Sequence, residues 1–448
     1  MTLLLLLAAI VFVASAVLLV YRYAIIFPYI ITSYVGLNYI INPKWVIKLG
    51  GVNVWFWDIL LALALFNIFI RVFKEKIPIG KEARLLIFAL ASFVIWNEFS
   101  EFSHFFIDGE RGLDNLVRTS VVNLYPLVAL SIVLSLNENN FRLFVGFLTG
   151  VAALTAFTFL FKEVFDIGGA RTSSGTVRRG EGESTLLLHL GLGVLLFAKK
   201  LSPLIRYPGV ILMILGLVLL GHRSTFLGTA LLLFIFLYFT LRQKVDSYKA
   251  IFWVPIGAFL GVSLISFIIF STHPAVENFR TRLADTANVE NKTSVGRLQK
   301  WSVAFKSLKD TPLGGTKLNG LPDYYGRYTL EADFGRYNIA DAHEAFIFLG
   351  EANPWPPHNT LVNIVTKNGI IGLLCFLGVI FTAFFTLRFR DSRTRNCIIA
   401  ILLSNFVFLI FNNHHRYATL TVLFICLVSL PIRLRMENNS GEDFGRKN

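Results

Sequence analysis

Pro357-His358-Asn359-Thr360-Leu361, followed by Asn368-Gly369-Ile370-Ile371-Gly372-Leu373-Leu374, marks the place where a long polar segment re-enters an apolar run. A His-Asn pair at the mouth of a membrane helix is costly unless it has a task. Outward from this point, the chain holds many separate apolar runs long enough to cross a ~30 Å hydrocarbon core. Hydrophobic residues make up 55% of the chain and charged residues 16%. Mean hydropathy is +0.62, so the apolar content exceeds that of an ordinary soluble domain. The expected fold class is an all-α polytopic membrane protein. The alternating ten-residue strands of a membrane barrel do not occur in the sequence.

Spanning helices are expected near 3–21, 54–72, 84–99, 117–136, 141–161, 184–198, 207–221, 224–240, 250–271, 362–387, 396–412 and 417–433, about 12 in all. The first run lacks a basic n-region ahead of it and a small-residue cleavage site after it, so it reads as a retained helix. Residues 24–42 are apolar but interrupted by Pro28, Gly36 and Asn38, and fit either a further span or an interfacial piece. The organisation that follows is membrane helices over 1–271, a loop domain over 272–358, C-terminal membrane helices over 359–433 and a polar tail over 434–448. Neither an internal repeat nor a separable soluble domain is evident. Cys375, Cys397 and Cys426 fall in or beside apolar runs and read as small buried residues rather than a disulfide framework.

The net charge of +14 does not call for nucleic acid. The basic residues are scattered over short loops, as the positive-inside rule requires of cytoplasmic loops. Arg71 to Arg84, Lys199 to Arg206, Arg242 to Lys249, Arg388 to Arg395 and the tail all fall on one side of the expected helices. The opposite side then receives 162–183, the turn at His222-Arg223-Ser224, the long segment 272–358 and the turn at 412–416. Basic residues on that side need another purpose. Within 272–358, Val295 to Lys309 reads as an amphipathic helix with Leu298, Val303, Ala304 and Leu308 on one side. Thr311-Pro312 and Gly314-Gly315 end it. A second short helix is expected over 342–349.

Two strings carry a family resemblance. His358 to Leu374, HNTLVNIVTKNGIIGLL, closely resembles the C-terminal motif of the O-antigen ligase and O-antigen polymerase superfamily. Gly296 to Gly315, GRLQKWSVAFKSLKDTPLGG, resembles that family's pattern of Gly-Arg, a Trp four residues later and then Pro-Leu-Gly. The resemblance spans about Gly168 to Leu430. It implies a GT-C-like helical bundle with a periplasmic loop domain, in the bacterial inner membrane, with its active site facing the periplasm. The implied donor is a glycan on undecaprenyl diphosphate, and the implied acceptor is lipid A-core or a second lipid-linked glycan.

The residues fit that chemistry. His358 is the candidate catalytic base, since neutral imidazole can take a proton from an acceptor hydroxyl near pH 7. The leaving diphosphate is already a stable anion and needs charge stabilisation, which arginine supplies in bidentate geometry. Arg223 and Arg297 are the candidate diphosphate ligands. Arg171, Arg178 and Arg179, in a glycine-rich loop, are further candidates. That loop lacks the Asn-Pro-Asn-like piece of the family and has Arg-Arg-Gly-Glu-Gly-Glu instead. His222, Trp301, Asn359, His414 and Arg416 are expected in supporting roles. The chain has no Asp or Glu before Asp58, whereas metal-dependent GT-C enzymes commonly use an acidic residue in their first external loop. No metal and no cofactor is therefore expected, and the resemblance implies inversion at the anomeric carbon. The motifs serve ligase and polymerase alike, with ligase preferred for the match in the long loop. The alternative of another class is a polysaccharide or lipid-oligosaccharide transporter. Transporters hide ionisable groups within their spans, and here the charges are expected in loops.

Overall fold

The computed structural model describes residues 46–49, 52–70, 81–108, 113–135, 138–165, 170–171, 177–178, 183–197, 201–220, 223–244, 359–385 and 392–411, with single positions in 26–33 and 301–315. The architecture is helical. The described helices are α1 (Phe56–Phe69), α2 (Lys81–Asp108), α3 (Leu113–Leu124), α4 (Pro126–Ser135), α5 (Glu138–Val164), α6 (Glu183–Phe197), α7 (Pro203–Leu219), α8 (Arg223–Lys244), α9 (Thr360–Phe385) and α10 (Ser392–Phe411). The described extended pieces are two antiparallel hairpins, β1 (Val46–Leu49) with β2 (Val52–Trp55) and β3 (Ala170–Arg171) with β4 (Val177–Arg178).

Among the described residues, three stretches are long and apolar enough to cross a membrane: Arg84–Ser103, Leu143–Val164 and Thr360–Thr382. The remaining apolar helices are shorter. The outer surface suits hydrocarbon, with Phe88 71%, Phe106 78%, Leu204 86% and Phe381 73% exposed. A water-soluble protein rarely presents so much contiguous apolar surface. The runs expected at 3–21, 250–271 and 417–433 lie outside the described residues, as does the helix expected over 342–349.

The expected single span over 117–136 is two helices. Tyr125 forms a turn between α3 and α4, and Pro126 opens α4. Proline lacks a backbone N–H to donate within a helix, which is no loss in the first turn. The Tyr125 hydroxyl donates to Asp58 Oδ1 of α1 at 2.6 Å. Further along, Asn67 Nδ2 of α1 donates to Ser131 Oγ at 2.7 Å and Ser135 Oγ at 2.6 Å. These pairs fix α1 parallel to α4. The helix expected over 84–99 continues to Asp108.

Close approach elsewhere depends on small residues, as is common where helices meet in lipid. A Cβ on Gly216 of α7 would lie 2.8 Å from the Ala156 Cβ of α5. Arg206 donates to the carbonyls of Leu195 and Leu196, satisfying the end of α6. Cys397 of α10 lies 3.5 Å from the Gly193 carbonyl of α6.

Contacts also fix helix direction. Thr185 and Thr225 are 2.8 Å apart, and His189 and Thr229 are 3.0 Å apart, so α6 and α8 run parallel. On α6, Gly193 meets Ile401 and Cys397, so α10 runs the other way. A six-residue link joins α10 to α9, which packs on it in reverse direction. Finally, α2 opposes α9, with Phe93 on Phe376 at 5.4 Å between ring centroids and Trp96 on Asn368. One end of the bundle therefore gathers the starts of α6, α8 and α9 with the ends of α2 and α10. The helix ends bounding the basic segments 71–80, 198–202 and 386–391 lie at the other.

Candidate functional site

The start of α9 is built by Asn359. Its Oδ1 accepts the backbone N–H groups of Leu361 at 2.9 Å and Val362 at 3.0 Å. This is an N-cap, satisfying donors that a helix start leaves orphaned. His358 is the next residue back along the chain and lies outside the described residues. From the cap, Asn359, Asn363 and Lys367 recur every four residues, which puts them on one face of α9.

The helix breaks two turns in. Gly369 has φ 68 and ψ −172, a conformation that other residues adopt only under strain. The break is filled from the segment that follows Trp301. The Ile370 N–H donates to the Pro312 carbonyl at 3.0 Å. Gly315, itself at φ 76, is buried against the break. A Cβ there would lie 2.5 Å from the Lys367 carbonyl carbon and 2.6 Å from the Gly369 nitrogen. From the other side, Trp96 Nε1 donates to the Asn368 carbonyl at 2.8 Å. The two motif strings thus meet, Pro-Leu-Gly-Gly from one and Lys-Asn-Gly from the other. Irregular backbone at membrane depth requires such protein cover.

A Gly315→Ala change is expected to cost on the order of 1–3 kcal/mol of local stability, because it adds positive-φ strain to a backbone clash. Thermal unfolding in detergent should show a lowered midpoint. Leu313→Ala, two residues away at a side chain 62% exposed, should not. Equal midpoints for the two variants would show that the junction does not hold α9.

Lys367 reaches from the break toward α3, with Nζ 3.4 Å from Asn123 Oδ1. Glu98 of α2 stands beside Ser120 and Asn123, with Glu101 and Lys367 in electrostatic reach. Glu101 is 3% and Lys367 5% exposed. Charges within spans are expensive and mark functional paths. The expectation that charges keep to the loops is corrected here: three ionisable residues lie within the bundle. Sequence reading missed Glu98 and Glu101, which sit at the end of an expected span, and passed over Lys367. A lysine inside an otherwise apolar run was the available signal.

A second polar seam lies between α6, α8 and α10. Ser184, Thr185 and His189 of α6, Ser224, Thr225 and Thr229 of α8, and Ser404 and Asn405 of α10 are all buried. The Thr185–Thr225 and His189–Thr229 pairs follow one another down the bundle from the first turn of α8. Arg223 is the first residue of α8.

The remaining candidates are placed as follows. Arg171 lies in β3 and Arg178 in β4, where the register pairs Arg171 with Val177 and Ala170 with Arg178. This hairpin precedes α6, at the same end as Arg223 and Asn359. Trp301 is helical and half-buried, and its indole nitrogen finds no hydrogen-bond partner among the described residues. Ala304, on the expected apolar side, is fully buried, while Phe305 is 55% exposed. Arg179, His222, Arg297, His414 and Arg416 lie outside the described residues.

Apolar helices that expose large hydrophobic side chains, with polar seams buried between them, define a multi-pass helical membrane protein. Residues 208–377 match the family model described as O-antigen ligase, which supports membership of the O-antigen ligase/polymerase superfamily. The match takes in Arg223, Arg297, Trp301, the Pro312–Gly315 junction, His358 and the break at Gly369. A search of curated proteins found no match.

Proposed function

We propose that the protein is a membrane glycosyltransferase of the O-antigen ligase type, moving a glycan from undecaprenyl diphosphate to lipid A-core in lipopolysaccharide assembly. The observation that carries this reading is the convergence at one end of the bundle. The start of α8, with Arg223, and the start of α9, which follows His358, lie at the same end within the matched stretch. The lipid tail would stay in the bilayer while the diphosphate meets Arg223 and Arg297. Arg171, Arg178 and Arg179 would add positive charge at that end. His358 would deprotonate the acceptor hydroxyl, giving inversion without a metal. Asn359, through its cap, would fix the helix that carries the base. Trp301 would orient the glycan, with His222, His414 and Arg416 lining the approach.

Incubation of the purified protein with a synthetic undecaprenyl-diphosphate oligosaccharide and lipid A-core tests the reading. Transfer to lipid A-core, unaffected by EDTA, is expected. Extension of a second lipid-linked oligosaccharide instead would identify a polymerase of the same superfamily. The buried Glu98, Glu101 and Lys367 are the observation that favours transport. Passage of the lipid-oligosaccharide across proteoliposomes without any glycan transfer would select that reading.

The compartment is tested separately. The end bearing Arg223 and Asn359 is expected to face the periplasm, because the basic segments bound the other end. In a cysteine-free background, an impermeant maleimide should label cysteines placed in 272–358 and not in 199–206. The reverse pattern would overturn both orientation and mechanism.

A further inference from the structure

Helices in lipid meet without a hydrophobic drive between them, so buried polar pairs and small residues fix how they pack. The seam between α6 and α8 uses both. Thr185 Oγ1 lies 2.8 Å from Thr225 Oγ1, and His189 Nε2 lies 3.0 Å from Thr229 Oγ1. The Thr229 hydroxyl donates to the Thr225 carbonyl at 2.7 Å. Its oxygen therefore accepts from His189 Nε2, which carries the proton. Each pair joins residues 40 positions apart, so the two helices keep one register over a full turn. A slide of one residue, about 1.5 Å of rise, would break both bonds at once. It would also leave buried polar groups unmatched, which is costly.

Gly228 closes the arrangement. A Cβ there would lie 2.7 Å from His189 Cε1 and 2.9 Å from the Ser404 carbonyl oxygen of α10. His189 also stands beside Asn405 of α10. Within its first two turns, α8 is thus wedged against two helices. Its partner α6 is itself enclosed. Every residue from Ser184 to Phe197 is buried except the half-buried Val194, with α5, α7, α8 and α10 packed around the helix. Register against α6 is therefore register against the core of the bundle. Arg223 stands two residues before Thr225, at the head of the same turn. A donor serves a leaving diphosphate only if it is held within about 0.5 Å of its productive place. We propose that Thr185, His189, Thr225 and Thr229 are positioning residues for glycan transfer. Their two hydrogen bonds set the depth and rotation of the α8 start and, through it, the place of Arg223. This inference rests on the proposed glycosyltransferase reading.

The full-length protein in nanodiscs, with the undecaprenyl-diphosphate oligosaccharide and lipid A-core, provides the test. Thr225→Val keeps the branched shape and removes the hydroxyl. It should lower kcat/KM for the donor about tenfold, since a shift of about 1 Å can cost ~10²-fold. Thr225→Ser keeps the hydroxyl and should restore most of the rate. A residue that only holds the fold would lower transfer in any background. A positioning residue acts through Arg223, so adding Thr225→Val to Arg223→Ala should cost less than about twofold more. Donor affinity is read through the same cycle, which covers variants whose residual transfer is too slow to follow. Equal losses in the two backgrounds overturn the inference, as does a Thr225→Val protein with unchanged donor kinetics. Should Thr225→Val fail to insert, Thr185→Val removes the same hydrogen bond from the α6 side and is read in the same way. Failure of both to insert would show that the pair holds the fold rather than Arg223, and overturns the inference too. Undiminished transfer by Arg223→Ala, or no transfer by the unsubstituted protein, would instead sink the proposed reading of the site.

Discussion

Transfer by Arg223→Ala and Arg297→Ala is expected to fall by about 10²–10³-fold, the loss typical of removing one preorganised charge-stabilising donor. Both variants should reach the membrane in normal amount. For Arg223 the position supports this directly. It opens α8, and a helix start offers orphan N–H groups and a positive dipole end to an anion. For Arg297 the support is its place in the same motif string as Pro312 and Gly315, which meet the break in α9. Lysine should rescue either position poorly, because an ammonium cannot reproduce the planar fork of guanidinium. The measurement is initial rate against donor concentration at fixed acceptor. Near-normal transfer by either lysine variant would remove the bidentate clamp from the mechanism.

The membrane class was readable because apolar runs of span length admit few alternatives. What the runs concealed was their internal breaks. The stretch 117–136 joins a half carrying Arg118, Thr119, Ser120 and Asn123 to an almost wholly apolar half, and its overall hydrophobicity masks two short helices. Pro126 was the local sign, and Asp58, far off in α1, anchors the bend through Tyr125. Gly369 was visible as part of a motif. The conformation it takes depends on Gly315 and Trp96, distant in sequence, and local pattern carries no trace of either contact. The buried pair of regions around Glu98 and Lys367 was hidden for the same reason. Glu98 alone reads as a helix-end charge and Lys367 as a lone lysine in an apolar run, and only the packing of α2 on α9 brings them into one interior.

The Asn359 cap shows how a site motif can combine two tasks. Sequence reading expects this residue in a supporting role. Its oxygen closes the first turn of α9. An Asn359→Ala change would therefore disturb the helix start, and its effect on rate would not by itself report substrate contact. The sharper test lies one residue earlier. His358→Ala is expected to lose turnover while donor binding, carried by the arginines, persists. With the unsubstituted enzyme, the rate should rise with pH through a value near ~6.5, as the imidazole loses its proton and becomes able to accept one. The Pro356-Pro357 pair limits the freedom of the chain entering this position, and the following residue, Asn359, caps α9. Equilibrium binding of the undecaprenyl-diphosphate oligosaccharide and single-turnover transfer separate the two roles. A His358→Ala protein with full turnover would sink the assignment of the base. One that no longer binds donor would move His358 to substrate binding, and the deprotonating group would then have to be sought among the other residues at the mouth of α9.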